Sequence, residues 1–180
     1  MEYLSDLVLA MRSAEKVVIA AINGAAVGGG MCLTLGADIR IAARSAYFRA
    51  AGINNGLTAT ELGVSFLLPR AIGASRAFEI LLSGRDVSAE EAERIGLVSR
   101  VVDDDLLLDT CYELAAQINA YSRIGVALTK QVLWSALEVG SLEAAINLEN
   151  RTQLHVRLTT QNFEEAILAR RENRPPTFRD

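Results

Sequence analysis

The feature that most limits how this chain can fold is a succession of strand, turn, helix and strand near its N-terminus. Val17–Ile22 is a short, continuous run rich in β-branched residues, which is typical of a strand buried on both faces. Asn23-Gly24 predicts a turn, and glycines 28–30 precede a predicted short buried helix at 31–37 and a second strand at 39–43. Elements in this order predict neighbouring parallel strands in one sheet. The sequence therefore predicts an α/β fold.

Composition excludes several classes of protein. The 180 residues are 51% apolar and 22% charged, which fits one globular domain with its own core and excludes a disordered chain. A formal net charge of −4 argues against a nucleic-acid partner, because such proteins neutralise phosphates with basic residues. We expect no membrane partner either. The most apolar stretch, 17–35, is interrupted by Asn23, Gly24 and glycines 28–30, whereas a spanning helix keeps about 20 apolar residues together.

Cysteine and histidine content also limits the chemistry. Cys32 and Cys111 are too few for a disulfide framework, and the N-terminus lacks a signal-peptide pattern, so the predicted compartment is the reducing cytoplasm. The Cys32 thiol could be acidified near a helix N-terminus, but we favour a buried, inert cysteine, which is the commoner case. His155 is the only histidine and has no ligand-spaced partners, so no metal site is expected. No nucleophile-turn motif points to a hydrolase.

The remaining sequence divides into an α/β part and a helical part. Before residue 103 the patterns predict helices at 4–14, 61–72 and 74–82, a loop at 47–60 and a strand at 97–102. Ser88 and Glu91 form a capping-box pattern, so a short helix is expected to begin there and to end at Gly96. After Asp103 all patterns are helical, with the third helix predicted over about 141–171. We therefore expect an α/β core at 1–103 and a helical region at 104–180.

The glycine turn is the first candidate for chemistry. It leads from a strand into a helix, so its free amides could hold an anion or a developing oxyanion at the helix N-terminus. It lacks the Gly-Lys-Ser/Thr of a phosphate loop and the glycine spacing of a dinucleotide fingerprint. A tight turn that needs glycine for packing alone explains the local pattern equally well.

Ordered motifs along the whole chain resemble the enoyl-CoA hydratase/isomerase (crotonase) family. They are residues 16–24, 26–30 and 37–40 in the first part, then 83–85, 89–92 and 96–98, and finally 170–175. The resemblance implies a crotonase-like spiral of ββα units followed by a helical region that assembles trimers. It also leads us to expect that the family's N-terminal segment, which precedes the helix at Leu4, is missing. We expect a homotrimer or a dimer of trimers.

The resemblance further implies acyl-CoA chemistry with an altered set of acids. Family members stabilise a thioester enolate with two backbone amides, of which the second corresponds to Gly29 and the first lies in the N-terminal segment. The two glutamates of the hydratases correspond here to Cys32 and Gly52. Glu61 aligns instead with an aspartate used by dienoyl-CoA and ring-opened-epoxide isomerases. These matches favour isomerisation, in which a single base moves a proton, rather than hydration, which needs two groups.

Other assignments carry alternatives. Glu61 is either that base or an exposed glutamate in the first turn of a helix, favoured by the helix dipole. The resemblance places substrate-binding residues at Ala26, Gly28, Cys32, Gly52 and Arg170. For Arg170, a phosphate contact and a solvated helix end explain the pattern equally well.

The expected ligand is an acyl-CoA, with coenzyme A entering only as part of the substrate and no metal or redox cofactor. The rival function is a non-catalytic or truncated crotonase-fold subunit that binds acyl-CoA or only assembles.

Overall fold

A computed structural model describes residues 2–179. Its first sheet contains the strands β1 (Ile19–Ile22), β3 (Ile39–Ala43) and β6 (Arg100–Val102), in the order β1-β3-β6 and all parallel. The α/β class and the parallel pairing of β1 with β3 are confirmed. β3 has the predicted bounds, whereas β1 begins two residues later than predicted, because the Val18 amide donates to Asp38 Oδ2 at 2.7 Å rather than to a strand.

The second sheet contains the strands that sequence patterns missed. It consists of β2 (Ala25–Val27), β4 (Tyr47–Arg49) and β5 (Val87–Ser88), with β2 parallel and β5 antiparallel to β4. The expectation of a turn running straight from Gly24 to the helix, and of a loop from Tyr47, was therefore wrong. Strands of two or three residues are too short to show an alternating pattern. The turn at Asn23-Gly24 carries the chain from one sheet into the other.

Five helices surround these sheets in the first part of the chain: α1 (Glu2–Ser13), α2 (Gly29–Gly36), α3 (Val64–Ile72), α4 (Ala74–Ser83) and α5 (Ala89–Ile95). The predicted end of a helix at Gly96 is confirmed, and Gly73 and Gly84 end α3 and α4; each of these glycines has a positive φ. Ser88 Oγ accepts from the Glu91 amide at 3.2 Å, as the capping pattern predicts. The prediction that a helix begins at Glu61 was wrong, because residues 61–63 form a turn ahead of α3.

A partly buried arginine fixes the C-terminal end of α2. The Arg40 guanidinium donates to the Leu97 carbonyl at 2.7 Å and to the Ala37 carbonyl at 2.8 Å. Burial lowers the pKa of Arg40, and the charge of Asp38 opposes that shift. Arg40 therefore ties the end of α2 to the segment that leads into β6.

The chain divides into two compact units, one ending at Leu114 and the other beginning at Ala115. The division falls inside α6 (Leu107–Asn119), beyond residue 103, after which the sequence patterns are all helical. Leu107, Cys111 and Leu114 pack against Ile41 and Ala43 of β3, so the start of α6 belongs to the core of the first unit.

The second unit contains α7 (Arg123–Ala136), α8 (Leu142–Thr159) and α9 (Asn162–Arg171). The single long helix predicted over 141–171 was wrong, because Thr160 is extended and separates α8 from α9. Buried Asn162 then donates to Ser122 Oγ at 3.0 Å and accepts from the Arg179 amide at 3.3 Å. No helix within residues 2–179 is both long and apolar enough to cross a membrane.

Candidate active site

The glycine turn presents unpaired amides at the N-terminus of α2. Gly28 precedes the helix with φ 55° and ψ −121°, a conformation open only to glycine. Its amide donates to the Arg49 carbonyl at 2.9 Å, and the first bond inside the helix runs from the Cys32 amide to the Gly28 carbonyl at 3.1 Å. The amide of Gly29 lies between these two and has no partner among the described residues, as expected for the first turn of a helix. It is half-buried and available to an oxygen.

A tight turn ahead of α3 holds Glu61. The Val64 amide donates to the Glu61 carbonyl at 2.9 Å, and the two residues between them both have positive φ, 49° at Leu62 and 85° at Gly63. These signs are those of a type I′ turn. Glu61 is half-buried, so it is not the exposed first-turn glutamate of a helix that the sequence left as an alternative.

The turn places the Glu61 carboxylate beside the glycines. A β-carbon on Gly28 would lie 3.6 Å from Oε1 of Glu61, and one on Gly29 would lie 3.6 Å from Cδ1 of Leu62. A carboxylate and a free backbone amide therefore flank the same short stretch of chain. This pair is what proton transfer next to a carbonyl needs, since one group moves the proton and the other stabilises the charge on oxygen.

Cys32 lies in the first turns of α2, close enough to Glu61 to respond to its charge. Its side chain is 3% exposed. Burial first, and the Glu61 carboxylate second, raise the pKa of the Cys32 thiol to about 12. A thiol with such a pKa stays protonated near neutral pH, so Cys32 cannot serve there as a carboxylate would.

Gly52 has no room for a side chain. A β-carbon at this position would lie 2.0 Å from the carbonyl oxygen of Thr58, because residues 52–58 fold back on themselves. The Gly52 carbonyl accepts from the amides of Asn55 and Leu57, each at 3.0 Å. The loop backbone therefore fills the space that a glutamate at this position would enter.

The remaining predicted site residues differ in how the fold presents them. Ala26 is 4% exposed in β2, two residues before Gly28. Arg170 lies on α9 in the second compact unit and is exposed. His155 is exposed on α8. Within the described part of the chain no three His, Cys, Asp or Glu side chains are grouped as metal ligands.

Comparison with known proteins identifies the family. The family model described as "Enoyl-CoA hydratase/isomerase" matches residues 1–180. The chain belongs to the enoyl-CoA hydratase/isomerase family. Among relatives, the probable enoyl-CoA hydratase EchA12 of Mycobacterium tuberculosis H37Rv is 64% identical over 180 residues, which are 100% of this chain and 63% of that protein. The 1,2-epoxyphenylacetyl-CoA isomerase of Escherichia coli K12 is 38% identical over 98% of this chain and 66% of its own length.

Solved structures of family members confirm the crotonase fold. A probable enoyl-CoA hydratase/isomerase from Mycobacterium abscessus matches with a TM-score of 0.96 and 59% identity, covering 99% of this chain and 68% of its own. A monofunctional enoyl-CoA isomerase from M. smegmatis matches with a TM-score of 0.75 and 62% identity, over 79% and 67% of the two chains. The chain thus spans just under two thirds of the length of EchA12.

Sequence patterns did not reveal that Leu62 occupies a tight turn with a positive φ. A leucine rarely adopts a positive φ, so nothing in the pattern Glu61-Leu62-Gly63 distinguishes a tight turn from the start of a helix. The one available signal was Gly63, which tolerates the left-handed conformation.

Proposed function

We propose that this chain carries the reacting centre of an acyl-CoA isomerase that moves a carbon–carbon double bond. The observation that carries the proposal is the position of the Glu61 carboxylate beside the free Gly29 amide. The two positions that hold glutamates in the hydratases are here a protonated thiol, Cys32, and a glycine without space, Gly52. One base and one oxyanion donor match isomerisation better than hydration.

The reaction needs only proton transfers. Glu61 removes a proton from the α-carbon of a 3-enoyl thioester, and the electron pair delocalises onto the thioester oxygen. The Gly29 amide donates to that oxygen while it is negative. Glu61 then returns the proton to the γ-carbon, the double bond moves to the 2-position, and the carboxylate is regenerated. No metal or redox cofactor enters these steps, and coenzyme A is part of the substrate.

The names of the relatives support acyl-CoA chemistry, but they do not distinguish isomerisation from hydration. The names of the E. coli and M. smegmatis proteins describe isomerases, while EchA12 is named a probable hydratase. The proposal therefore rests on the residues of this chain.

The test follows exchange of the α-proton. The 180-residue chain is incubated in deuterated water with trans-3-hexenoyl-CoA, whose α-protons are both allylic and next to the thioester. Deuterium uptake is measured by mass spectrometry and 2-enoyl product by absorbance. Glu61→Gln keeps the side-chain volume and removes the base, so exchange should fall at least a hundredfold while the dissociation constant changes little.

The control is Glu79→Gln, which neutralises an exposed carboxylate on α4 that pairs with Arg85. It should exchange as fast as the parent. Equal exchange by Glu61→Gln and the parent would refute the assignment of the base. Tight binding of acyl-CoA with no exchange by the parent would favour the non-catalytic alternative.

We also propose that the chain self-associates, as a trimer or a dimer of trimers. Support comes from the second unit, whose helices expose large apolar side chains, a pattern common at protein interfaces. Examples on α7 and α8 are Leu133, Leu142, Ile146, Leu154 and Leu158. Sedimentation velocity should give a trimeric or hexameric mass at micromolar concentration, and a folded monomer would contradict the proposal.

A further inference from the structure

Leu62 is an unusual residue for the turn that it occupies. Both central positions of a type I′ turn require positive φ, and glycine, asparagine or aspartate normally fill them. Gly63 meets this requirement, but Leu62 adopts φ 49° with a bulky side chain. Such a conformation persists only where surrounding contacts determine it, and residues of this kind concentrate at functional sites.

The Leu62 side chain is buried beside the oxyanion donor. Its side chain is 7% exposed, and its Cδ1 would lie 3.6 Å from a β-carbon on Gly29. Glu61 precedes Leu62 directly, and its Oε1 would lie 3.6 Å from a β-carbon on Gly28. The side chains of two neighbouring residues in this turn therefore lie beside two neighbouring residues of the glycine turn.

We propose that Leu62 is a positioning residue, whose packing against Gly29 fixes the distance between the Glu61 carboxylate and the oxyanion donor. The inference rests on the proposed function, since it assigns Leu62 a role through Glu61 and none in direct contact with substrate. The hydrogen bond from Val64 to Glu61 closes the turn and makes it short. A movement of Leu62 is therefore transmitted to the residue before it.

The size of the expected effect follows from the sensitivity of proton transfer to distance. A displacement of about 1 Å in a reacting group costs about a hundredfold in rate. Loss of the Leu62 side chain leaves the base present but less constrained. We expect kcat for exchange to fall by about tenfold to a hundredfold, while KM changes less than about twofold.

Two substitutions separate the side-chain contact from the backbone conformation. Leu62→Asn favours the left-handed conformation but removes the apolar side chain that lies beside Gly29, so it should lose kcat. Leu62→Met keeps similar apolar volume, so it should retain kcat within about threefold of the parent. Exchange of trans-3-hexenoyl-CoA is measured as for Glu61→Gln, and the fraction of competent sites is counted by calorimetric titration with hexyl-CoA, an unreactive thioether.

Leu81→Ala is the matched control for loss of core packing. Leu81 lies on α4 and is 8% exposed, close to the 7% of Leu62. Leu81→Ala should lower the unfolding temperature while leaving kcat per competent site unchanged.

Four outcomes would overturn the inference. Leu62→Asn with the kcat of the parent would show that the contact does not position the base. An equal loss in Leu81→Ala, or a change in KM alone, would assign Leu62 a structural or binding role. If Glu61→Gln also exchanges at the parental rate, the proposed function fails and the role of Leu62 fails with it. If Glu61→Gln is inactive while Leu62→Asn is unaffected, only the positioning role is refuted.

Discussion

Replacing Gly29 with proline should remove the oxyanion donor without removing the helix. Proline has no backbone N–H, and its ring suits the first position of a helix. Gly29 occupies that position in α2, where its amide bonds to no residue in the described part of the chain. The preceding Gly28, at φ 55° and ψ −121°, has the mirror image of the extended conformation that residues before proline prefer.

The magnitude follows from this geometry. Because no helical hydrogen bond is lost, the free energy of unfolding should change by no more than about 1 kcal/mol. Loss of one preorganised donor to an oxyanion costs about 2.7–4 kcal/mol, a hundredfold to a thousandfold in kcat. The β-carbon adds only an ordinary contact, 3.6 Å from Leu62 Cδ1.

The assay is deuterium exchange into trans-3-hexenoyl-CoA, with Gly29→Ala as the matched variant that adds a β-carbon and keeps the amide. Gly29→Ala should retain kcat within about tenfold, while Gly29→Pro should fall a further hundredfold. Similar rates for the two variants, with both folded by circular dichroism, would refute the assignment of Gly29 as the donor.

Further predictions concern hydration, the core and the thiol. Hydration of crotonyl-CoA should be negligible because Cys32 and Gly52 replace the two acids, and turnover near 10 per second, a typical enzyme rate, would contradict this. Arg40→Met should cost about 3 kcal/mol of unfolding free energy in urea, because the carbonyls bound by Arg40 lose a buried donor. Arg44→Met, at an exposed ion pair, should cost less than about 1 kcal/mol, and equal losses would disprove the reasoning. With its pKa raised to about 12, the Cys32 thiol should react with iodoacetamide at pH 8 about a thousandfold more slowly than an exposed cysteine of pKa about 8.5. Glu61→Gln should speed that reaction by lowering the pKa of Cys32, and peptide mapping that finds no change would contradict the effect of the Glu61 charge.

Elements with strong local signals could be predicted from the sequence. The second strand predicted at 39–43 became β3 with the predicted bounds, and the capping pattern at Ser88 together with Gly96 located α5. These signals need no information from distant residues. β2 and β4 could not be predicted in this way, because strands of three residues are defined by pairing with each other rather than by their own pattern.

The candidate site likewise contains features that the sequence could predict and features that it could not. Resemblance to the family directed attention to Gly29 and Glu61, which lie in two different turns that the structure brings side by side. The left-handed conformation of Leu62 and the closure of the loop over Gly52 depend on contacts between segments. Neither has a signature in residue type, since leucine disfavours positive φ and glycine is compatible with many conformations.

The closure of the loop over Gly52 also limits which substitutions this chain can accept in evolution. The glycine codons GGA and GGG become glutamate codons by one nucleotide substitution, so from either of them an acid at this position is a single mutational step away. That step would place a side chain 2.0 Å from the Thr58 carbonyl oxygen, and the variant would lose stability before it could gain an activity. A path back to two carboxylates therefore needs a change in loop length or course first, with no catalytic benefit at that stage. The backbone around Gly52 thus disfavours any substitution that would introduce an acid at this position.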